Sequence, residues 1–291
     1  ADPCLDPQVT RYTPTAPMPH RISDIELHLF LEAVYLRYHY DFRAYVGASL
    51  KRRLRAAMTR FECLTLTQLQ DRVLHDDGII NELLNYLTVQ VTEMFRDPEY
   101  YIGLRRHVMP LLHTYPSLKL WVAGCSSGEE AWSLAILLAE EGLLERSIIY
   151  ATDINTLALE TAQAGVYPLS RMAEYTRNHR MAGGRSSLSD YYTAAYDHAK
   201  FDERLKRHLV FSDHSLATDS VFAEMQFVSC RNVLIYFNRG LQDRALGLFH
   251  ESLCIGGFLG LGSKESLGFS RHAHAFTEIA PQERIYQKAS A

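Results

Sequence analysis

The segment VAGCSSGEE at residues 122–130 joins a glycine-bearing turn to an acidic helix start. Such a turn lets backbone amides approach a ligand closely and sets a helix N-terminus beside it. It is neither GxGxxG nor GxxxxGKS/T, so it signals neither a dinucleotide nor a nucleoside triphosphate. Taken alone it could equally be a tight structural turn. Asp153, at the end of SIIYATD, changes that reading. A carboxylate closing a second strand can accept hydrogen bonds from both ribose hydroxyls of a ligand held at the first turn. The alternative is that Asp153 caps the following helix. Gly124, Gly128 and Asp153 together point to an adenosine-type ligand. Glu129 and Glu130 at the helix start repel a pyrophosphate but tolerate a neutral ribose or a cation, which favours S-adenosylmethionine over NAD. Cys125 and Cys230 have no histidine at a useful spacing and read as small buried residues. His272 and His274 lack the carboxylate or cysteine companions of a metal site, so no metal is expected.

The elements that would position these groups fall into two grammars. From about residue 22 to 115 apolar residues recur at threes and fours, which predicts helices and no strand. In SLKRRLRAAMTRF, Leu50, Leu54, Ala57, Met58 and Phe61 share one side, while Lys51, Arg52, Arg53, Arg55 and Arg60 cover the other. That basic face is either a solvated surface or a dock for an acidic helical partner. After Pro116, LKLWV and SIIYATD read as buried strands, each followed by a helix, the start of a doubly wound parallel sheet. Residues 168–210 interrupt this rhythm as an inserted small antiparallel β subdomain. The pattern resumes with MQFVSC, a helix, GGFLGLGS as a strand after a Gly-Gly turn, and a closing hairpin in FTEIAPQERIYQKA. The fold class expected is therefore α/β, a Rossmann-like sheet with a small β insertion, preceded by an all-α domain. The divisions expected are a disordered lead-in at 1–20, a helical docking domain at 21–90, a linker helix at 91–117 and the ligand-binding domain at 118–291.

With 291 residues, two domains of ordinary size fit. Lys plus Arg total 30 against 34 Asp plus Glu, a net charge of -4, which lacks the basic excess of a general nucleic-acid binder. The 5 cysteines are scattered without a CxxC pair, so a disulfide framework is not expected and a reducing cytoplasm is. No apolar run suggests a signal peptide or a membrane span.

Four motifs carry a resemblance: VTEMFRDPEYY, AGCSSGEEAWSLAI, YATDINTLALETAQAGVY and FVSCRNVLIYFN. In this order and spacing they resemble the chemotaxis receptor methyltransferases of the CheR type, over residues 22 to 288. The resemblance implies transfer of a methyl group from S-adenosylmethionine to glutamate side chains of a chemoreceptor's cytoplasmic helical bundle, leaving S-adenosylhomocysteine. It also implies that the cofactor is held by Gln90, Thr92, Arg96, Gly124, Glu129, Asp153, Ser215, Leu216, Asn232 and Val233. The helix from Lys51 to Arg60 corresponds to the family's receptor-docking helix. Gln90 and Ser215 stand where asparagine is usual, and Ala131-Trp132 replaces the common Pro-Tyr. Between Asp190 and Phe211 there is no glycine, so the loop with which some members grip a tethered peptide is not expected, nor is a tether required.

Esterifying a carboxylate asks for alignment and no general base, because a glutamate of pKa about 4.3 is already anionic at neutral pH. Arg96 and Tyr236 are the candidate catalytic residues: a guanidinium able to fork onto the carboxylate or touch the cofactor, and a phenol able to fix the second oxygen. The alternatives are an interdomain salt bridge for Arg96 and a core position for Tyr236. A monomer suffices. Two other readings remain at this point: a cofactor-binding signalling module without transfer, and a methyltransferase for a non-chemotactic receptor.

Overall fold

The computed structural model describes residues 21–289, so the expected lead-in at 1–20 lies outside the described residues. Four helices come first: α1 (Asp24–Tyr38), α2 (Gly47–Arg60), α3 (Leu66–His75) and α4 (Ile79–Leu87). Capping boxes start α1 and α3, where Ser23 pairs with Glu26 and Thr65 with Gln68, each satisfying backbone donors that a helix start leaves open. Phe30, Val34, Leu50, Leu54, Leu69, Leu83 and Leu84 close into one fully buried cluster. The helices thus hold a core of their own.

The expected linker helix begins only at Pro98, as α5 (Pro98–Gly103), and continues through a π-helical turn (Leu104–Val108) into α6 (Met109–Leu112). Asp97 in the left-handed region and Pro98 at the first helical position fix that late start.

The α/β half runs β1 (Leu118–Ala123), α7 (Glu129–Glu140), β2 (Ser147–Asp153) and α8 (Thr156–Ala164). It continues β3 (Val166–Pro168), α9 (Met172–Met181), β4 (Tyr192–Ala195), β5 (His198–Phe201), α10 (Glu203–Lys206) and β6 (Leu209–Asp213). It ends β7 (Met225–Cys230), α11 (Arg239–Ser252), β8 (Leu253–Leu261), β9 (Phe276–Ala280) and β10 (Ile285–Lys288). The main sheet has the order β6-β2-β1-β7-β8-β10-β9, with β10 antiparallel to both neighbours and the pairs from β6 to β8 parallel. Along β1, Leu118, Leu120 and Val122 enter one buried cluster while Trp121 and Ala123 enter another, the period of two expected of a strand covered on both faces. Because the chain leaves β1 for β2 and returns on its other side as β7, the carboxyl ends of β1 and β7 open a crevice at a topological switch point.

Two details differ from the sequence reading. The inserted sheet is β3-β5-β4 and spans 166–201, whereas LVFSD at 209–213 pairs with β2 as a strand of the main sheet. Gly256 and Gly257 make no turn before a strand; they lie inside β8, where the register with β7 shifts and Gly256 takes φ 76°. Trp132 is fully buried, and a side chain at Gly165 would strike it at 2.4 Å, so it fills space that a smaller residue would leave empty.

The insertion is tied to α7 through Glu140. Its carboxylate meets His179 Nε2 at 2.9 Å, the Arg185 amide at 3.0 Å and the Arg105 guanidinium presented by the π-helical turn. Burial alone would raise this carboxyl, but hydrogen bonds from His179 and Arg105 outweigh it and hold it at about 2. A folded pKa below the unfolded one gives stability that is present above the ordinary value and lost as pH falls through the folded value. The melting temperature should therefore fall between pH 4.5 and about 2. Glu140→Gln should melt lower at neutral pH and show a shallower decline across that window. Parallel profiles for the two proteins would refute the assignment.

Candidate functional site

At the crevice lies an open cleft of about 900 Å³, lined by residues 88–92 and 96, the turn after β1, the ends of β2 and β6, and the loop after β7. Tyr45 and Arg53 close it from the helical half. Gly124 (φ 75°) and Gly128 (φ 94°) take conformations that side chains avoid, and both are crowded. A Cβ at Gly124 would stand 2.4 Å from Val233 Cγ2, and one at Gly128 would stand 2.7 Å from Ala162 Cβ. Asp153 Oδ2 accepts the Ser126 amide at 2.8 Å and Oδ1 accepts the Asn155 amide at 2.9 Å. Burial pushes the Asp153 carboxyl up, while these backbone amides pull it down. The N-cap of α8 is Asn155, whose side chain accepts the Ala158 amide at 3.2 Å. Asp153 is therefore not the capping residue.

A polar chain ties the helical half to this turn. Asn155 Nδ2 donates to Asn85 Oδ1 at 2.9 Å and to Thr88 Oγ1 at 3.1 Å. Gln90 Nε2 donates to the same Thr88 Oγ1 at 2.9 Å, and Ser126 Oγ donates to Gln90 Oε1. Thr92 lines the cleft and its carbonyl accepts from Arg171 at 2.9 Å. Ser126 and Asn232 line the cleft with φ of 51° and 60°, and Phe95 and Asp97 flank Arg96 with φ of 52° and 55°, a strained backbone at these positions.

Arg96 lines the cleft with its guanidinium on the Val91 carbonyl at 3.0 Å, and makes no ion pair among the described residues. Behind it stands buried Arg231, which donates to the Arg96 carbonyl at 2.9 Å, to Asp97 Oδ2 at 2.8 Å and to Glu130 Oε2 at 3.1 Å. Tyr236 is half-buried, lines the cleft and packs against the core cluster behind it. The loop carrying Asn232, Val233 and Tyr236 is held from below by buried Glu265, which accepts the amides of Asn232 at 2.9 Å, Gly262 at 2.7 Å and Ile235 at 3.3 Å. Sequence reasoning missed Glu265, Arg231 and Ser126, whose partners are distant in the chain.

Three of the expected groups are placed differently. Glu129 does not line the cleft: it is 2% exposed, accepting from Ser127 Oγ at 2.7 Å and Tyr175 OH at 3.2 Å, while its neighbour Glu130 faces the ligand side. One residue along a helix is a turn of about 100°, so only one of two adjacent carboxylates can face the crevice. Ser215 is not among the cleft-lining residues, and its hydroxyl accepts the Ala217 amide at 3.3 Å; His214 and Leu216 do line the cleft. The basic helix does not present one free face. Arg53, one turn before buried Ala57, points into the cleft with its guanidinium 5.5 Å from the Tyr236 ring centroid and one nitrogen on the Leu87 carbonyl. Lys51 pairs with Asp24 at 2.7 Å and Arg60 with Glu82 at 2.7 Å. Arg52 and Arg55 remain without an ion pair among the described residues.

The two halves correspond to two family models. Residues 25–88 match the one described as CheR methyltransferase, all-alpha domain, and residues 90–284 match CheR methyltransferase, SAM binding domain. The chain belongs to the CheR methyltransferase family. A Pseudomonas putida protein named Cher3 is 59% identical over 269 residues, covering 92% of this chain and 98% of that one. The chemotaxis protein methyltransferase of Listeria monocytogenes is 28% identical over 229 residues, covering 78% and 84%. That of Vibrio parahaemolyticus is 30% identical over 229 residues, covering 75% and 80%. Among the described residues no helix is long and apolar enough to cross a membrane.

This CheR-family chain is a methyltransferase whose cofactor is S-adenosylmethionine. The cleft fits that group. Gly124 leaves the turn bare where a side chain would fill it, and each Asp153 oxygen keeps a lone pair beyond its backbone amide. Three buried polar atoms on cleft-lining residues, Arg53 Nη2, His214 Nδ1 and Arg231 Nε, have no partner among the described residues.

Proposed function

We propose that the chain esterifies glutamate side chains on the cytoplasmic helical bundle of a chemoreceptor, acting in the cytoplasm as a monomer and without a peptide tether. The observation that carries this reading is the anion socket at the cleft wall, where the Arg53 guanidinium stands over Tyr236 with one nitrogen unpartnered. A carboxylate suits such a socket, because a planar guanidinium matches its two oxygens. The chemotaxis names of the Listeria and Vibrio relatives support the receptor as partner.

S-adenosylmethionine, held by Gln90, Thr92, Arg96, Gly124, Asp153, Leu216, Asn232 and Val233, with Glu130 in place of Glu129 and His214 in place of Ser215, supplies an electrophilic methyl group on a sulfonium. Arg53, Arg96 and Tyr236 orient the incoming carboxylate. No residue needs to remove a proton, since the nucleophile is already anionic. Alignment of reacting groups is worth about 7–11 kcal/mol when the bound geometry is near attack. Too firm a grip would stabilise the ground state, so the three side chains orient more than they bind. Exposed Arg52 and half-buried Arg55 on α2 dock the acidic partner around the cleft.

The test is the alkali lability of the transferred label. Methyl groups placed on a receptor cytoplasmic fragment should leave as methanol in mild base. Base-stable label would mean transfer to nitrogen and would overturn the glutamate assignment. Tight binding of S-adenosylhomocysteine with no transfer to receptor fragments would favour the signalling-module reading.

A further inference from the structure

The His214 side chain is bound on one nitrogen only. The residue follows β6, and its amide reaches the Asp153 carbonyl at 3.3 Å, so it stands next to the carboxylate that faces the ribose. Its ring is clamped edge to face against Trp121 (5.2 Å) and Phe222 (5.3 Å). Nε2 lies 3.2 Å from the Ser220 carbonyl. A carbonyl only accepts, so Nε2 carries the hydrogen and Nδ1 of the neutral ring is an acceptor. That acceptor is buried and has no partner among the described residues, although leaving a buried polar atom unpaired is unfavourable. The partner such a site lacks is a hydrogen-bond donor.

We propose that His214 selects the adenine base of the cofactor by accepting a hydrogen bond from its exocyclic amino group. Adenine offers acceptors at its ring nitrogens and a single donor group, the 6-amino group, so a fixed acceptor beyond the ribose reads that group. A base with a 6-oxo group would set two acceptors against each other. The indole and phenyl clamps hold the imidazole in one orientation, which makes the discrimination geometric. The proposal rests on the cofactor assignment and assigns a role to a residue that the motif comparison leaves blank.

The test is calorimetric titration of the full chain with S-adenosylhomocysteine and with S-inosylhomocysteine, its 6-oxo analogue. The wild-type chain should prefer the adenosyl ligand roughly tenfold or more. In His214→Leu the preference should collapse towards unity, with affinity for the adenosyl ligand reduced roughly tenfold. His214→Asn, which restores a side-chain acceptor, should recover part of the preference. Thermal melting of each variant checks the fold. Equal affinity of the wild type for both ligands, or full discrimination retained in His214→Leu, would overturn the proposal. Failure of the wild type to bind either ligand would overturn it together with the cofactor assignment.

Discussion

Replacing Asp153 with alanine should lower affinity for S-adenosylhomocysteine by about two to three orders of magnitude, read by calorimetry on the purified chain. The side chain has two tasks. It organises the turn, because Oδ2 holds the Ser126 amide in a residue forced to φ 51°, and Oδ1 holds the Asn155 amide at the mouth of α8. It also faces the cleft with a lone pair free on each oxygen for a ribose hydroxyl. Hydrogen bonds to a charged group contribute about 1.5–3 kcal/mol each, so two lost to the ligand account for a hundredfold or more before the turn relaxes. Asp153→Asn should be nearly as damaging: one oxygen becomes an amide donor and confronts a backbone N–H. The helix itself should survive in both variants because Asn155 is its cap. Affinity within a few-fold of the wild type in Asp153→Ala would show that the carboxylate serves only the turn.

What the sequence disclosed and what it concealed follow from range. LKLWV, SIIYATD and FVSC are short apolar runs bounded by polar turns, and each forms a strand of the parallel sheet as read. The glycine turn and Asp153 were legible because one local element carries each, and the order of strands brings them together. The limits of the insertion were less visible. LVFSD follows a helix of only four residues, and its pairing with β2 is a contact across some sixty residues that periodicity does not register. The two glycines of GGFLGLGS read as a turn because glycine usually marks one, yet here they absorb a register shift within a strand. Glu129 and Glu130 look alike in sequence, and only the direction of α7 decides which one meets the cleft. Arg231 and, apart from Gly262, Glu265 do their work through partners between 30 and 135 residues away, a signal that one chain does not contain.

The same limit applies to the basic helix, and it sets the second large effect. Arg53→Ala should lower methyl transfer to a receptor fragment by at least about a hundredfold while leaving S-adenosylhomocysteine affinity within about twofold. The guanidinium lies in the cleft wall with a nitrogen unpartnered, 5.5 Å from the Tyr236 ring, and burial lowers its pKa without removing its charge. It is desolvated before substrate arrives, so a carboxylate meeting it gains more than it would from an arginine in water. Arg53→Lys should recover little, since an ammonium does not offer the two parallel donors of a guanidinium. Arg52→Glu with Arg55→Glu should behave differently. Those side chains act on the partner's surface, so KM for the receptor should rise, the effect should shrink as salt screens the wild-type attraction, and kcat should be nearly kept. Arg53→Ala also strips a donor from the Leu87 carbonyl, so its melting temperature must be compared with the wild type before rates are. If transfer falls no further in Arg53→Ala than in Arg52→Ala, the socket reading fails and α2 is a docking surface alone.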